Sequence, residues 1–176
     1  MRRAVFLDRD GVINRAVVRD GKPYPPSSLA ATEIMPGVSE ALAALHAADW
    51  MLIVVTNQPD VVRGIAARGE VEAINRYLKD TLPIDEFRTC YHDKADGCDC
   101  RKPLPGLLLA AAREHDIDLD ASYMVGDRWR DVEAGMRAGC KTVFIDYGYA
   151  ERQPQSYDHK VQSMQEAAGI ILGETR

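Results

Sequence analysis

The sequence predicts an α/β domain built on a Rossmann-like parallel sheet of about five strands with helices on both faces. Three observations predict it. Short, wholly apolar runs such as AVFL, MLIVV and TVFI alternate with stretches whose apolar residues recur at helical spacing, and strands buried on both faces read this way. A chain of 176 residues is long enough to bury a core of its own as one domain. Asp8, Thr56 and Asp127 each follow a strand-like run directly, and the carboxyl ends of parallel strands are where such folds gather ligands.

The elements follow in order. AVFL is the first strand and ends at Asp8. RDGKPYPPS, rich in turn formers, reads as a loop. Val38, Ala41, Leu42 and Leu45 share one helical face, and MLIVV then runs as the second strand to Thr56. Val71, Ile74 and Leu78 mark the next helix, and FRTCY is the third strand, feeding a cysteine-rich loop. Pro105 suits the first turn of a helix continued by Leu108, Ala111 and Ala112. YMV and TVFI are strands four and five, with Val132, Gly135 and Met136 facing inward from the helix between them. Val161, Met164, Ala168 and Ile171 form a docked last helix. No segment between these elements is long enough for a lid domain. Specificity is therefore left to DGKPYPPSS, QPDVVRGIAARGE, the cysteine loop and DYGYAERQP, with Tyr147 and Tyr149 at the rim. One domain over residues 1–176 is expected.

Composition removes several classes. The net charge is −5 and the isoelectric point about 5.4, whereas nucleic-acid binders rely on a basic face; no nucleic-acid partner is expected. No apolar run approaches bilayer-spanning length. The start, MRRAVFLDRDG, meets an acid too early for a secretory signal. A cytoplasmic protein without a membrane partner is expected.

Four motifs carry chemistry. In FLDRDG, Asp8 and Asp10 stand one residue apart past a strand; carboxylates so close repel unless a cation lies beside them, and Mg²⁺ prefers oxygen ligands. A pair of solvated turn aspartates is the plain alternative. In VVTNQ, Thr56 offers a hydroxyl, and the N–H groups after it can bind a phosphoryl oxygen. In RKP, Lys102 can neutralise phosphoryl charge, with Pro103 and Pro105 stiffening the backbone. In VGDRWRD, Asp127 suits a metal ligand and Asp131, one helical turn on, can support the same site; a helix cap is the alternative.

Cys90, Cys98 and Cys100 lie close together with His92 between them. Three thiolates and one imidazole suit tetrahedral Zn²⁺, and four protein ligands leave no open position, so the ion reads as structural. The zinc loop, residues 90–102, would pin Arg101 and Lys102 over the site. Cys140 has no partner nearby in sequence and reads as a core residue.

Taken together, these motifs resemble the haloacid dehalogenase (HAD) superfamily of phosphohydrolases, from residue 5 to about residue 146. The resemblance implies that Asp8 is the nucleophile of an aspartyl-phosphate mechanism and Asp10 the general acid/base, with Thr56 and Lys102 holding the transferring phosphoryl group. It implies Mg²⁺ on Asp8, the backbone carbonyl of Asp10 and Asp127, helped by Asp131 from outside the direct ligands. It also implies the sheet order 5-4-1-2-3, with the nucleophile strand central.

FLDRDGVIN, VVTNQ with RG soon after, CDCRKPLPGLLL and YMVGDR narrow the resemblance. They look like the D-glycero-D-manno-heptose 1,7-bisphosphate phosphatases of lipopolysaccharide heptose biosynthesis. That branch includes the histidinol-phosphate phosphatases, which have a similar zinc loop. The resemblance implies a monomeric enzyme that removes the 7-phosphate of a small sugar bisphosphate. Arg101 would contact the phosphate that stays, with Asn57, Gln58 and Arg63 near the sugar.

The sequence departs from that pattern in places. Pro59 and Asp60 replace a usual Ser-Gly, Tyr91 a usual proline, and Trp129 and Arg130 are unusual. The gap between His92 and Cys98 is closer to the histidinol-phosphatase loop. Three other classes compete. A receiver domain also phosphorylates an aspartate but orders its Thr, Lys and acids differently. A zinc-stabilised binding module would bind without turnover, leaving the spacing of Asp8, Asp10 and Asp127 without a reason. A dehalogenase would not need Asp10 and Asp127.

Overall fold

In the computed structural model, the chain runs β1 (Ala4–Leu7), β2 (Val17–Arg19), β3 (Lys22–Tyr24), α1 (Val38–Ala47), β4 (Met51–Asn57) and α2 (Arg68–Thr81). It continues through β5 (Glu86–Cys90), α3 (Gly106–His115), β6 (Tyr123–Gly126), α4 (Trp129–Ala138), β7 (Lys141–Ile145), β8 (His159–Val161) and α5 (Met164–Gly173). Residues 1–174 are described; the last two of the domain expected over 1–176 lie outside the described residues.

The side chains of β1 explain the layering. Val5 and Leu7 point into one core with Leu42 and Leu45 of α1, Ile74 and Leu78 of α2, and Ala168 and Ile171 of α5. Ala4 and Phe6 point the other way, into a core with Leu108 and Ala111 of α3 and Ala134 and Ala138 of α4. The neighbouring strands alternate likewise: Leu52 and Val54 of β4 face the first core, Ile53 and Val55 the second. A strand covered on both sides must be apolar throughout, which is why AVFL and MLIVV show no polar alternation. The sheet is parallel, with six strands in the order β5-β4-β1-β6-β7-β8, so β1 is flanked by β4 and β6. Among the described residues, no helix is long and apolar enough to cross a membrane.

Three expectations change. The sheet has six strands rather than about five, because Val161 belongs to the edge strand β8 and α5 starts only at Met164. Met136 is 48% exposed rather than facing inward, and the small residues Ala134, Gly135 and Ala138 take the buried positions. A Cβ on Gly135 would lie 2.5 Å from that of Met124, so glycine lets α4 sit directly on β6. The stretch read as a loop holds a hairpin: β2 and β3 pair antiparallel across Asp20 and Gly21. Their φ values of 50° and 71° suit the two central positions of a type I′ turn. Asp-Gly between Val-Val-Arg and Lys-Pro-Tyr was the signal for it.

Candidate active site

Asp8 follows β1, Thr56 ends β4 and Asp127 follows β6, so the parallel topology brings them to one edge of the sheet. Asp131 joins them from the first turn of α4, where its Oδ2 also accepts a hydrogen bond from the Arg128 N–H at 3.0 Å. Oxygens of Asp8, Asp127 and Asp131 lie within 4.8 Å of one another. Lys102 enters this group fully buried, its Nζ 2.7 Å from Asp8 Oδ1, 2.7 Å from Asp131 Oδ1, and donating to the Val55 carbonyl at 2.7 Å.

Three buried carboxylates around one ammonium leave an excess of negative charge. Burial, then the Asp131 charge, push Asp8 up to about 6, against the opposing pull of Lys102. Burial and the charges of Asp8 and Asp131 hold Asp127 well above the usual carboxylate range. Despite burial, the two carboxylates raise the proton affinity of Lys102, so it stays charged.

Asp10 points elsewhere. Its Oδ1 accepts from Arg9 Nη2 at 3.1 Å and Asn14 Nδ2 at 3.0 Å, and its Oδ2 from Gln58 Nε2 at 2.9 Å. Arg9 is fully buried and also donates to Asn75 Oδ1 at 3.0 Å. The Asp10 side chain is therefore outside the acidic cluster.

Gln58, expected near substrate, is 2% exposed and turned inward, its Nε2 also donating to Thr56 Oγ1 at 3.0 Å. Asn57 clasps the backbone of Lys102: its Oδ1 accepts the Lys102 N–H at 3.0 Å and its Nδ2 donates to the Lys102 carbonyl at 3.0 Å. Both side chains orient neighbours.

A cavity of about 280 Å³ opens above this edge, with Asp8, Asp10, Thr56, Asn57 and Lys102 among its lining. The hairpin adds Lys22 and Tyr24 to the wall, and Arg63, Arg101, Arg128 and Arg130 add cations. Arg63 is bound to Asp93 through Nε at 2.6 Å and Nη2 at 2.8 Å, and reaches Asp60 at 3.3 Å, so Asp60 faces a cation rather than standing alone. Arg101 donates to the His92 carbonyl at 3.2 Å. Arg128 pairs with Glu151, while Arg130 lies over Trp129. Lys22 belongs to the DGKPYPPSS segment expected to supply specificity, and Arg130 to the departures noted in the sequence, whereas Arg128 was not expected in the pocket, because only packing shows which way it points.

Tyr147 and Tyr149 do not line this cavity. They stand behind it, where the Tyr147 hydroxyl donates to the Gly11 carbonyl at 2.9 Å and the Tyr149 hydroxyl to Asp127 Oδ2 at 2.8 Å.

Cys90, His92, Cys98 and Cys100 converge as a second cluster. Cys90 Sγ lies 3.8 Å from Cys98 Sγ and 2.8 Å from Cys100 Sγ, while His92 Nδ1 is 3.7 Å from Cys90 Sγ and 3.2 Å from Cys100 Sγ. A tetrahedral zinc–thiolate site has edges of about 3.8 Å, from Zn–S bonds of about 2.3 Å. The donor set suits that ion and the Cys90–Cys98 separation matches such an edge, while Cys90 and Cys100 stand closer than one. Cys140 is buried and remote from the cluster, and burial pushes its thiol up to about 12.

The D-glycero-beta-D-manno-heptose-1,7-bisphosphate 7-phosphatase of Bordetella bronchiseptica is 36% identical over 151 residues, covering 83% of this chain and 82% of the relative. The chain belongs to the heptose-bisphosphate phosphatase branch of the HAD phosphatases. The corresponding protein of Chlorobaculum tepidum is 34% identical, over 98% of this chain and 96% of the relative. A family model for HAD-hydrolase-like proteins matches residues 99–167. A crystal structure of D,D-heptose 1,7-bisphosphate phosphatase from B. bronchiseptica, complexed with magnesium and phosphate, superposes with a TM-score of 0.82 at 32% identity, over 98% of this chain and 99% of that one. A HAD-like phosphatase structure from Mesorhizobium loti gives 0.77 at 30% identity, over 98% and 85%.

This HAD phosphatase has a donor set that fits Mg²⁺. Besides the three clustered carboxylates, Asp127 Oδ1 is buried with no protein partner among the described residues. Hard oxygen donors with uncompensated charge are what a small divalent cation requires.

Proposed function

We propose that this HAD phosphatase removes the 7-phosphate from D-glycero-D-manno-heptose 1,7-bisphosphate through an aspartyl-phosphate on Asp8, as a cytoplasmic monomer. The observation that carries the chemistry is the convergence of Asp8, Asp127 and Asp131 around Lys102 at the floor of a pocket walled by arginines. The substrate is supported by the names of relatives aligned over most of the chain.

One oxygen of Asp8 is held by Lys102, and the other attacks phosphorus. The new O–P bond forms as the bond from phosphorus to the sugar oxygen breaks, and Asp10 gives that oxygen a proton. Asp10 then takes a proton from water, which attacks the acyl phosphate, freeing inorganic phosphate and the Asp8 carboxylate. This division replaces one very slow hydrolysis by two easier steps. Gln58 donates to both Asp10 and Thr56, keeping the acid/base in register with the hydroxyl that binds the phosphoryl group. Lys102 meets charge on the transferring group. Asp8, Asp127 and the Asp10 carbonyl would hold Mg²⁺, with Asp131 supporting the site through Lys102; when bound, the ion shields the phosphoryl charge from the nucleophile. Zn²⁺ on Cys90, His92, Cys98 and Cys100 would stiffen the loop that carries Arg101 and Lys102. Arg101 and Arg63 meet the phosphate that is retained.

Asp8→Asn should abolish turnover and the acid-stable label left by radioactive substrate in a rapid quench, with the melting profile still cooperative. Asp10→Asn should lower turnover by about 10²–10⁴-fold. An active Asp8→Asn protein would end the reading of Asp8 as the nucleophile. The heptose bisphosphate should be turned over faster than histidinol phosphate. The reverse order would assign the enzyme to the sister activity that the short His92–Cys98 gap also suits.

A further inference from the structure

Behind the acidic cluster, the segment that follows β7 is strapped to three separate parts of the fold. Tyr147 donates to the carbonyl of Gly11, the Ala150 N–H donates to the carbonyl of Gly21 at 2.8 Å, and Glu151 pairs with Arg128. Tyr149 sits between these anchors, its ring 5.7 Å from that of Tyr147. Its hydroxyl donates to Oδ2 of Asp127 at 2.8 Å.

The two oxygens of Asp127 are thus unequal. Oδ2 carries the phenol and is fenced by the turn at Gly11, where a Cβ would lie 2.0 Å away. Oδ1 is buried and has no partner among the described residues. Whichever oxygen stands beside Gly11 carries the phenol, so only one position of the carboxylate is left open.

Cations differ in what they ask of such a carboxylate. Mg²⁺ takes six oxygens in near-ideal octahedral geometry at about 2.0–2.1 Å and is content with one oxygen per carboxylate. Ca²⁺ takes about six to eight at about 2.3–2.6 Å and gains when a carboxylate offers both oxygens. We propose that Tyr149 is a positioning residue that selects Mg²⁺ over Ca²⁺ by occupying Oδ2 of Asp127 and leaving that carboxylate a single metal-facing oxygen. The inference rests on the reading that Asp8, the Asp10 carbonyl and Asp127 hold Mg²⁺.

Calorimetric titration of the purified full chain, zinc retained and magnesium dialysed away, gives a dissociation constant for Mg²⁺ and one for Ca²⁺. In Tyr149→Phe the ratio of the Ca²⁺ constant to the Mg²⁺ constant should fall by about tenfold, the scale on which partners of metal ligands act. Calcium should then inhibit turnover at fixed Mg²⁺ at correspondingly lower concentration. Tyr147→Phe, which loses a hydroxyl on the same strap but none on Asp127, should leave the ratio at the wild-type value. Tyr149→Met removes the hydroxyl with another shape and should lower the ratio as Tyr149→Phe does; it serves if the phenylalanine variant does not melt cooperatively.

A ratio within twofold of wild type in the Tyr149 variants overturns the inference, as does an equal fall in Tyr147→Phe. Asp127→Asn should weaken both ions. If wild type binds Mg²⁺ and Asp127→Asn binds it equally well, the assignment of Asp127 as a ligand fails, and the inference with it. A wild-type ratio that holds in Tyr149→Phe while Asp127→Asn loses Mg²⁺ defeats the inference alone.

Discussion

Asp8 and Asp127 pay for proximity in proton affinity: each is buried near other carboxylates and holds its proton more strongly than an ordinary aspartate. For Asp8 the rise from 3.8 to about 6 disfavours the ionised fold by about 3 kcal/mol. The sign follows from proton counting. Between those two values Asp8 in the folded, metal-free protein holds more proton than in the unfolded chain, so its contribution makes stability fall as pH rises, and the raised Asp127 adds to that fall in the same direction. Denaturant unfolding of magnesium-free protein should show this decline, and Asp8→Asn, which keeps only the Asp127 part of it, should show a shallower one and be the more stable protein at pH 7.5. Lys102 keeps its 2.7 Å bond to Asp131 in that variant. Mg²⁺ should restore wild-type stability at pH 7.5 by binding the folded state alone. A flat wild-type profile would contradict this account of the cluster. At this scale the meeting of Asp8, Thr56, Lys102 and Asp127 at one edge of the sheet was legible, since each stands in a recognisable motif. The inward turn of Gln58 and the bond from Tyr149 were not, because a side chain's direction depends on neighbours distant in sequence.

Among the elements, the cysteine loop and β4 act together on Lys102. Asn57 clasps its backbone from the end of β4, while Cys100 lies two residues before it in the proposed zinc cluster. Gln58 also donates its backbone N–H to the Cys90 carbonyl at 2.7 Å, so the cluster touches the strand end from both sides. The purified protein should contain one equivalent of zinc by elemental analysis. Stripping it with a thiol-directed mercurial and a chelator should lower turnover even at saturating Mg²⁺, while the rest of the fold melts as before. Full activity of zinc-free protein would separate the loop from catalysis. The ligand spacing made this loop readable in sequence. The hairpin of β2 and β3 was hidden by its turn formers, although it brings Lys22 and Tyr24 to the pocket wall.

Across the whole molecule, two apolar cores clamp one parallel sheet, and the spacing between layers sets the site. Gly135 shows how tightly: a side chain there would meet Met124 of β6 at 2.5 Å and Thr142 of β7 at 3.0 Å. Gly135→Val should cost about 1–3 kcal/mol of stability through overpacking. It should lower turnover further than that loss explains, because α4 carries Asp131 and β6 leads to Asp127. Thermal melts and rates on one substrate, measured side by side, check the pair of effects; unchanged turnover in a folded variant would show that the site tolerates a shifted α4. The amino-acid sequence by itself determined the α/β class, the strands nearest the centre, the family and the residue types at the strand ends. It could do so because burial on both faces writes continuous apolar runs and because the motifs are local. Only the tertiary structure decided the edge strand β8, the cations that line the pocket and the oxygen of Asp127 left open. Those depend on contacts between segments far apart in the chain, such as Tyr149 with Asp127 and Asn57 with Lys102, which no local pattern encodes.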